Sequence, residues 1–188
     1  MISILRTVVL YLVTHSIASS AVDVFVGLAR LKGWKFVGLE NFPKESGKIA
    51  VVSNHQGIIE TVLVPWLFRP HYLWDPSCMP RILGNRRRVF GIKWVWVSWT
   101  VWPLIITVER NGNSLTSASD HLESGGNIVI FAEGSRTDHE KPGRKTRHLY
   151  SRDRKRKIKP LKLGFTYLVS IPGVRTVPVW VDWTEKTT

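Results

Sequence analysis

An α/β domain with a mixed, partly parallel central sheet flanked by helices is predicted by two features of the chain. Short β-branched runs alternate with helical stretches, and polar clusters follow directly on the strongest of those runs. A third feature, an apolar segment at the N-terminus, adds a membrane-associated helical segment over residues 1–33 ahead of a domain spanning 34–188.

The first element is the run Thr7–Ala29, in which Asp23 is the one formal charge; Arg6 precedes it and Arg30, Lys32 and Lys35 follow. It can be read as a transmembrane helix, which needs about 20 predominantly apolar residues. It can also be read as a secretory signal ending near Ser19-Ser20-Ala21, or as a helix lying in the membrane interface. The interfacial helix accommodates His15, Ser16, Ser19, Ser20 and Asp23 best. Trp34–Val37 alternates as a short strand, and Gly38–Pro43 reads as a turn.

Lys48–Ser53 carries the buried-strand signal Ile49-Ala50-Val51-Val52, and Asn54 is placed to cap a helix running to about Phe68, with Pro65 kinking or ending it. Leu104–Val108 is a further strand. Ser114–Glu123 is a short helix closed by Gly125-Gly126. Asn127–Ala132 forms a strong strand, Pro160–Ser170 a helix, and Arg175–Trp183 a last strand with Val177, Val179 and Val181 alternating. In sheets of this kind ligands gather where strands end and loops begin. Asn54-His55 and Glu133-Gly134-Ser135-Arg136 both sit at such exits.

The chain has 188 residues, 44% of them hydrophobic, which suffices for one domain with a real core and argues against disorder. Its single cysteine, Cys78, excludes an internal disulfide and a multi-thiolate metal site, and fits a reducing compartment. A net charge of +13 implies anionic partners. The excess is local: Arg136 to Lys162 holds twelve basic residues against three acidic ones, so this one stretch supplies +9 of the total. Its basic core includes Lys141, Arg144, Lys145, Arg154, Lys155, Arg156 and Lys157. Anionic lipid is its favoured partner, ahead of an acidic carrier protein or the phosphates of an acyl-CoA. Trp94, Trp96, Trp99 and Trp102 in Gly91–Val108 suit either headgroup depth in a bilayer or a packed core, and Lys93 argues against a span there.

His55 and Glu60 lie five residues apart. On a regular helix that spacing separates side chains by about 140°, so the two meet only if His55 stands at a strand-to-helix junction. A carboxylate on one imidazole nitrogen fixes the tautomer and leaves the other nitrogen free to accept a proton. In isolation the pair reads more readily as a helix-capping histidine and a solvated acid than as a catalytic couple. Its company is Phe131-Ala132-Glu133-Gly134-Ser135-Arg136-Thr137, where Arg136 is suited to bidentate phosphate binding and Gly134 to close backbone approach.

Together these stretches resemble the glycerolipid acyltransferase family, the 1-acylglycerol-3-phosphate acyltransferases and their relatives. Asn54, His55 and Glu60 resemble its Asn-His-x4-Asp block, and Phe131–Thr137 its Phe-Pro-Glu-Gly-Thr-Arg-Ser block. Ile105–Arg110 is similar to the apolar strand followed by an acid and an arginine. Thr176-Val177-Pro178-Val179 is similar to the proline-bearing strand, and Leu161–Phe165 resembles the Lys-x-Gly-x-Phe segment before it. The likeness runs from Trp34 to Trp183. Glu60, Ala132 and Glu109 depart from the usual Asp, Pro and Asp, and Pro80–Gly91, with Arg86-Arg87-Arg88, matches no block cleanly.

The resemblance implies direct acyl transfer from an acyl-CoA or acyl-carrier protein to a lysophospholipid hydroxyl, with 1-acylglycerol-3-phosphate as the favoured acceptor. Other lysophospholipids, glycerol-3-phosphate and glycolipids are the alternatives. It implies His55 as general base and Glu60 as its partner. Arg110, Glu133, Gly134, Ser135 and Arg136 would form the phosphate site. No bound cofactor or metal is implied, and the setting is the cytoplasmic face of the cell membrane. Two other classes compete. A nucleic-acid-binding protein would want aromatics among the basic residues for base stacking, and Tyr150 is nearly alone there. A catalytically dead membrane protein is disfavoured by the intact His55, Glu60 and Arg136.

Overall fold

The computed structural model describes residues 19–55, 60–85, 105–108, 113–134, 149–150, 157–158 and 160–182. The strands β1 (Ile49–Ser53), β2 (Arg81–Asn85), β3 (Ile105–Val108), β4 (Ile128–Phe131) and β7 (Arg175–Val179) form one five-stranded sheet in the order β3-β2-β4-β1-β7. Each described pairing in it is parallel, so the expected mixed sheet is corrected to a parallel one. Among the described residues, antiparallel pairing is confined to a separate ribbon, β5 (Leu149–Tyr150) with β6 (Lys157–Ile158), inside the basic stretch.

Helices cover both faces, as a parallel sheet requires. α2 (Glu60–Trp66) and α3 (Arg69–Tyr72) lie on one side, α4 (Asn113–Glu123) and α5 (Gly164–Val169) on the other. The strand period of two sorts the core accordingly. Ile49 and Val51 of β1 join Val129 and Phe131 of β4 against Val64, Phe68 and Tyr72. Ala50, Ile128 and Ile130 pack on the opposite face against Ala118, Leu122 and Leu168. Ile49, Ala50 and Val51 have no solvent exposure at all, which explains why β1 reads as a continuous apolar run rather than an alternating one.

The chain leaves β1 towards β2 over the α2 face and leaves β4 towards β7 over the α5 face. These two central strands are neighbours whose connections depart in opposite directions and on opposite sides. Such a point opens a crevice at the carboxyl ends of the strands. A buried asparagine holds the other end of the sheet. Asn127 accepts the Ile49 N–H on Oδ1 at 3.1 Å and donates from Nδ2 to the Cys78 carbonyl at 2.8 Å.

α1 (Ser19–Leu31) docks on this body through its own acid. Asp23 accepts the Trp66 indole N–H at 2.9 Å and the Arg69 Nε–H at 2.8 Å, and Val26 and Ala29 are buried on the same face. Val24, Leu28 and Leu31 recur at helical spacing on the opposite face and are exposed. Gly33, at φ 86°, ends the helix, with bonds from Gly33 N to Arg30 O and from Trp34 N to Ala29 O. No helix among the described residues is long and apolar enough to cross a membrane.

Trp34–Val37 is not the expected strand. Its alternation is satisfied by helices instead: Trp34 packs edge-on against Phe25, and Phe36 against Trp66. Three further expectations are trimmed. The helix within Pro160–Ser170 spans Gly164–Val169, the strand expected over Leu104–Val108 starts at Ile105, and the last strand ends at Val179; β2 is a strand the sequence reading did not anticipate.

Candidate active site

β1 ends at Ser53 and delivers Asn54 and His55 into the crevice. Asn54 ties the exit of β1 to the far end of the domain sequence. Its side chain pairs with one residue of the neighbouring chain segment, donating from Nδ2 to the Val181 carbonyl at 2.7 Å and accepting the Val181 N–H on Oδ1 at 2.8 Å. An amide side chain thereby extends the β1–β7 ladder beyond Val179 and is 5% exposed. Residues 56–59, on which the expected N-cap would act, lie outside the described residues. The pairing fixes where the chain stands as it enters residue 55.

His55 is held from two directions. Its backbone N–H donates to Oε1 of Glu133 at 2.9 Å. Its imidazole stacks on the Phe131 ring, with centroids 4.4 Å apart and planes 27° apart. Both partners come from the end of β4, the strand next to β1, so the adjacency of the two exits is what assembles the site. Glu133 is 1% exposed, with its carboxylate turned inward to His55 rather than out to the crevice mouth.

Glu60 is the first residue of α2 and has no solvent exposure. It lies one helical turn before Val64, so the two share a helix face. Val64 packs in the cluster containing Phe131, the ring on which the His55 imidazole stacks. The carboxylate of Glu60 therefore belongs to the side of the sheet on which the imidazole lies. A buried carboxylate is tolerated only where donors meet it, which an imidazole N–H can supply.

The turn after β4 is tightly determined. Ala132 donates to the Ser53 carbonyl at 3.1 Å and accepts the Lys162 N–H at 2.7 Å, while Gly134 N–H returns to the Phe131 carbonyl at 2.9 Å. Gly134 has φ 67°, the left-handed region where a side chain is strained. The close approach expected at this glycine comes from within the chain. A Cβ there would stand 3.2 Å from Cγ of Lys162, whose stem lies across the glycine.

The Acyltransferase family model matches residues 33–182. The chain belongs to the acyltransferase family. The match begins at the glycine that closes α1 and takes in every strand of the sheet. No curated protein and no solved structure matches the chain.

Of the residues this acyltransferase was expected to use, the structure brings His55, Glu60, Glu133 and Gly134 to one end of the sheet. Arg110, Ser135 and Arg136 lie outside the described residues, as do Lys141, Arg144, Lys145, Arg154, Lys155, Arg156 and the four tryptophans of Gly91–Val108. Lys157 is paired through its backbone with Tyr150 in the β5–β6 ribbon. Among the described residues, no cluster of three or more His, Cys, Asp or Glu side chains is arranged to hold a metal ion. Two contacts escaped the sequence reading. The pairing of Asn54 with Val181 spans 127 positions and leaves no local trace. Lys162 was marked only as the end of the basic stretch and by its place in Leu161–Phe165.

Proposed function

We propose that this acyltransferase moves a fatty acyl group from an acyl thioester, acyl-CoA or acyl-carrier protein, to the free hydroxyl of a lysophospholipid, with His55 as general base. The observation that carries the reading is the double restraint on His55 at the carboxyl ends of two neighbouring strands whose connections leave over opposite faces. Its main chain is bonded to buried Glu133 and its ring is stacked on Phe131, on the face where Glu60 begins α2.

In this mechanism the acceptor hydroxyl gives its proton to the His55 imidazole as its oxygen attacks the thioester carbonyl. Glu60 fixes the tautomer and stabilises the transient imidazolium, as the acid does in a hydrolase triad, with the substrate alcohol replacing an enzyme serine. The tetrahedral intermediate collapses, the carbon–sulfur bond breaks, and the departing thiolate takes up the proton from the imidazolium. The products are an ester and a thiol.

A phosphate-bearing acceptor, 1-acylglycerol-3-phosphate giving phosphatidic acid, is the substrate the family resemblance and the +13 charge favour. Arg110 and Arg136 are assigned to its phosphate by that resemblance alone. A membrane-surface setting is supported by the exposed stripe Val24, Leu28 and Leu31 on α1, followed directly by Lys32 and Lys35. Incubating purified protein with radiolabelled lysophosphatidic acid and each donor in turn tests the reaction. Phosphatidic acid is the expected product, and release of free fatty acid alone would replace transfer with thioester hydrolysis.

A further inference from the structure

We propose that Lys162, laid across Gly134 in the turn that follows β4 and flanked in sequence by exposed apolar residues, is a binding site for the phosphate group of an amphiphilic substrate. The assignment rests on the acyltransferase reading for its substrate class. Its placement rests on geometry alone.

A surface lysine is ordinarily a mobile, solvated cation, and three features set this one apart. Its main chain is anchored: the Lys162 N–H bonds to the Ala132 carbonyl at 2.7 Å, and Ala132 is itself bonded to Ser53, the last residue of the strand that delivers His55. Its stem is seated: Cγ, Cδ and Cε all lie within 4.0 Å of the point a Gly134 Cβ would occupy, so the missing side chain is what makes room for the lysine. Its charge has no carboxylate partner among the described residues: neither ion pair there involves Lys162. The nearest carboxylate along the turn, Glu133, is buried and bonded to His55.

The neighbours specify the kind of ligand. Leu161 and Leu163, on either side of the lysine, are 45% and 84% exposed, and Tyr167, one helical turn beyond Leu163 on α5, is 55% exposed. The turn carrying them is held by the Thr166 hydroxyl and N–H, which donate to the Leu163 carbonyl at 2.6 and 3.0 Å. A lysine on a short segment that also exposes two leucines and a tyrosine suits a molecule with an anionic head and an acyl chain better than a free inorganic ion. Within this crevice the anionic group is a phosphate, borne either by the acceptor headgroup or by the nucleotide of an acyl-CoA.

Lys162→Met keeps the aliphatic stem over Gly134 and removes the charge; Lys162→Arg keeps the charge. Lys44→Met, an exposed lysine before the opposite end of β1, controls for net charge. Steady-state transfer is measured with lysophosphatidic acid and with monoacylglycerol as acceptors. Donors are acyl-CoA and acyl-N-acetylcysteamine, which lacks phosphate. Binding of lysophosphatidic acid below its micellar concentration is followed in parallel by calorimetry.

Lys162→Met is expected to raise KM by about tenfold or more for whichever partner bears the recognised phosphate. The rise should vanish with the phosphate-free counterpart, kcat should change little, and Lys162→Arg should recover most of the loss. A rise confined to lysophosphatidic acid assigns the headgroup, and one confined to acyl-CoA assigns the nucleotide. Unchanged KM for both in an active Lys162→Met enzyme would overturn the assignment and leave the acyltransferase reading standing. A wild-type chain that binds lysophosphatidic acid in a Lys162-dependent way yet transfers nothing would keep the site and remove the reaction. Absence of both transfer and binding would overturn both.

Discussion

Glu133 acts on His55 through the backbone, which separates two kinds of contribution a carboxylate can make in a catalytic crevice. Its Oε1 accepts the His55 N–H at 2.9 Å, so it is a positioning residue that sets where the imidazole starts. A hydrogen bond to a charged acceptor contributes roughly 1.5–3 kcal/mol, which, if expressed in the transition state, is a factor of about 10–100. Glu133→Ala is therefore expected to lower kcat by about that factor with KM little changed. Glu133→Gln, which keeps an acceptor oxygen in place, should recover most of the rate, and failure of that rescue in a folded protein would give Glu133 a role beyond holding the main chain. Asn54 works on the same stretch from the other side through Val181. The sequence makes His55, Glu60 and Glu133 conspicuous as polar residues at strand exits. It cannot show that Glu133 reaches across 78 positions to one N–H, because that contact depends on β1 and β4 being neighbours.

The elements owe their legibility to local chemistry, and those that were missed lack it. β1 and β4 are β-branched runs buried on both faces, and α4 closes on Gly125 at φ 93° with bonds from Gly125 N to Leu122 O and Gly126 N to His121 O. β2, by contrast, opens on a charged residue and carries Gly84 in its interior, so nothing in Arg81-Ile82-Leu83-Gly84-Asn85 marks a strand until its partners β3 and β4 are in place. Two predictions belong at this scale. Asn127→Ala would orphan the Ile49 N–H and the Cys78 carbonyl together. A loss of about 2–4 kcal/mol is expected, read from urea unfolding, and a loss below about 1 kcal/mol would mean that water replaces the amide.

The second concerns His121 of α4, whose pKa is lowered from 6.5 by burial first and then by the positive charge of Arg81, against an opposing hydrogen bond to the Asn127 backbone. Because the folded value lies below the unfolded one, the unfolded chain takes up this proton first as the medium is acidified. The stabilisation is whole above about pH 6.5 and is lost as pH falls towards the folded value. Between about pH 7.5 and pH 5, the wild-type melting temperature should fall more than that of His121→Gln. Parallel curves for the two would remove His121 from the pH response.

For the whole molecule, the decisive property is the order in which the strands lie. With β4 and β1 adjacent and their connections leaving over opposite faces, two polar clusters 78 residues apart in the chain are brought to one crevice. Parallel pairing and strand order are long-range outcomes, which is why α/β alternation was readable from the sequence while the fully parallel arrangement was not. The docking of α1 is a second long-range result. Asp23 interrupts an otherwise apolar run, and it proves to be the anchor for Trp66 and Arg69. The ion pair is about a third exposed on each side, so solvent screening limits its worth. Asp23→Ala should cost about 1–2 kcal/mol and unquench or shift tryptophan emission, and an unchanged unfolding midpoint would argue that Val26 and Ala29 alone hold the helix.

The central claim is that the imidazole of His55 takes the proton from the acceptor hydroxyl, and the turnover number of purified His55→Ala with lysophosphatidic acid and acyl-CoA tests it most directly. A fall of roughly 10²–10⁴-fold is expected, with circular dichroism and unfolding midpoint as in the wild type. Turnover within about twofold of the wild type would contradict it, since a positioned general base is worth far more than that.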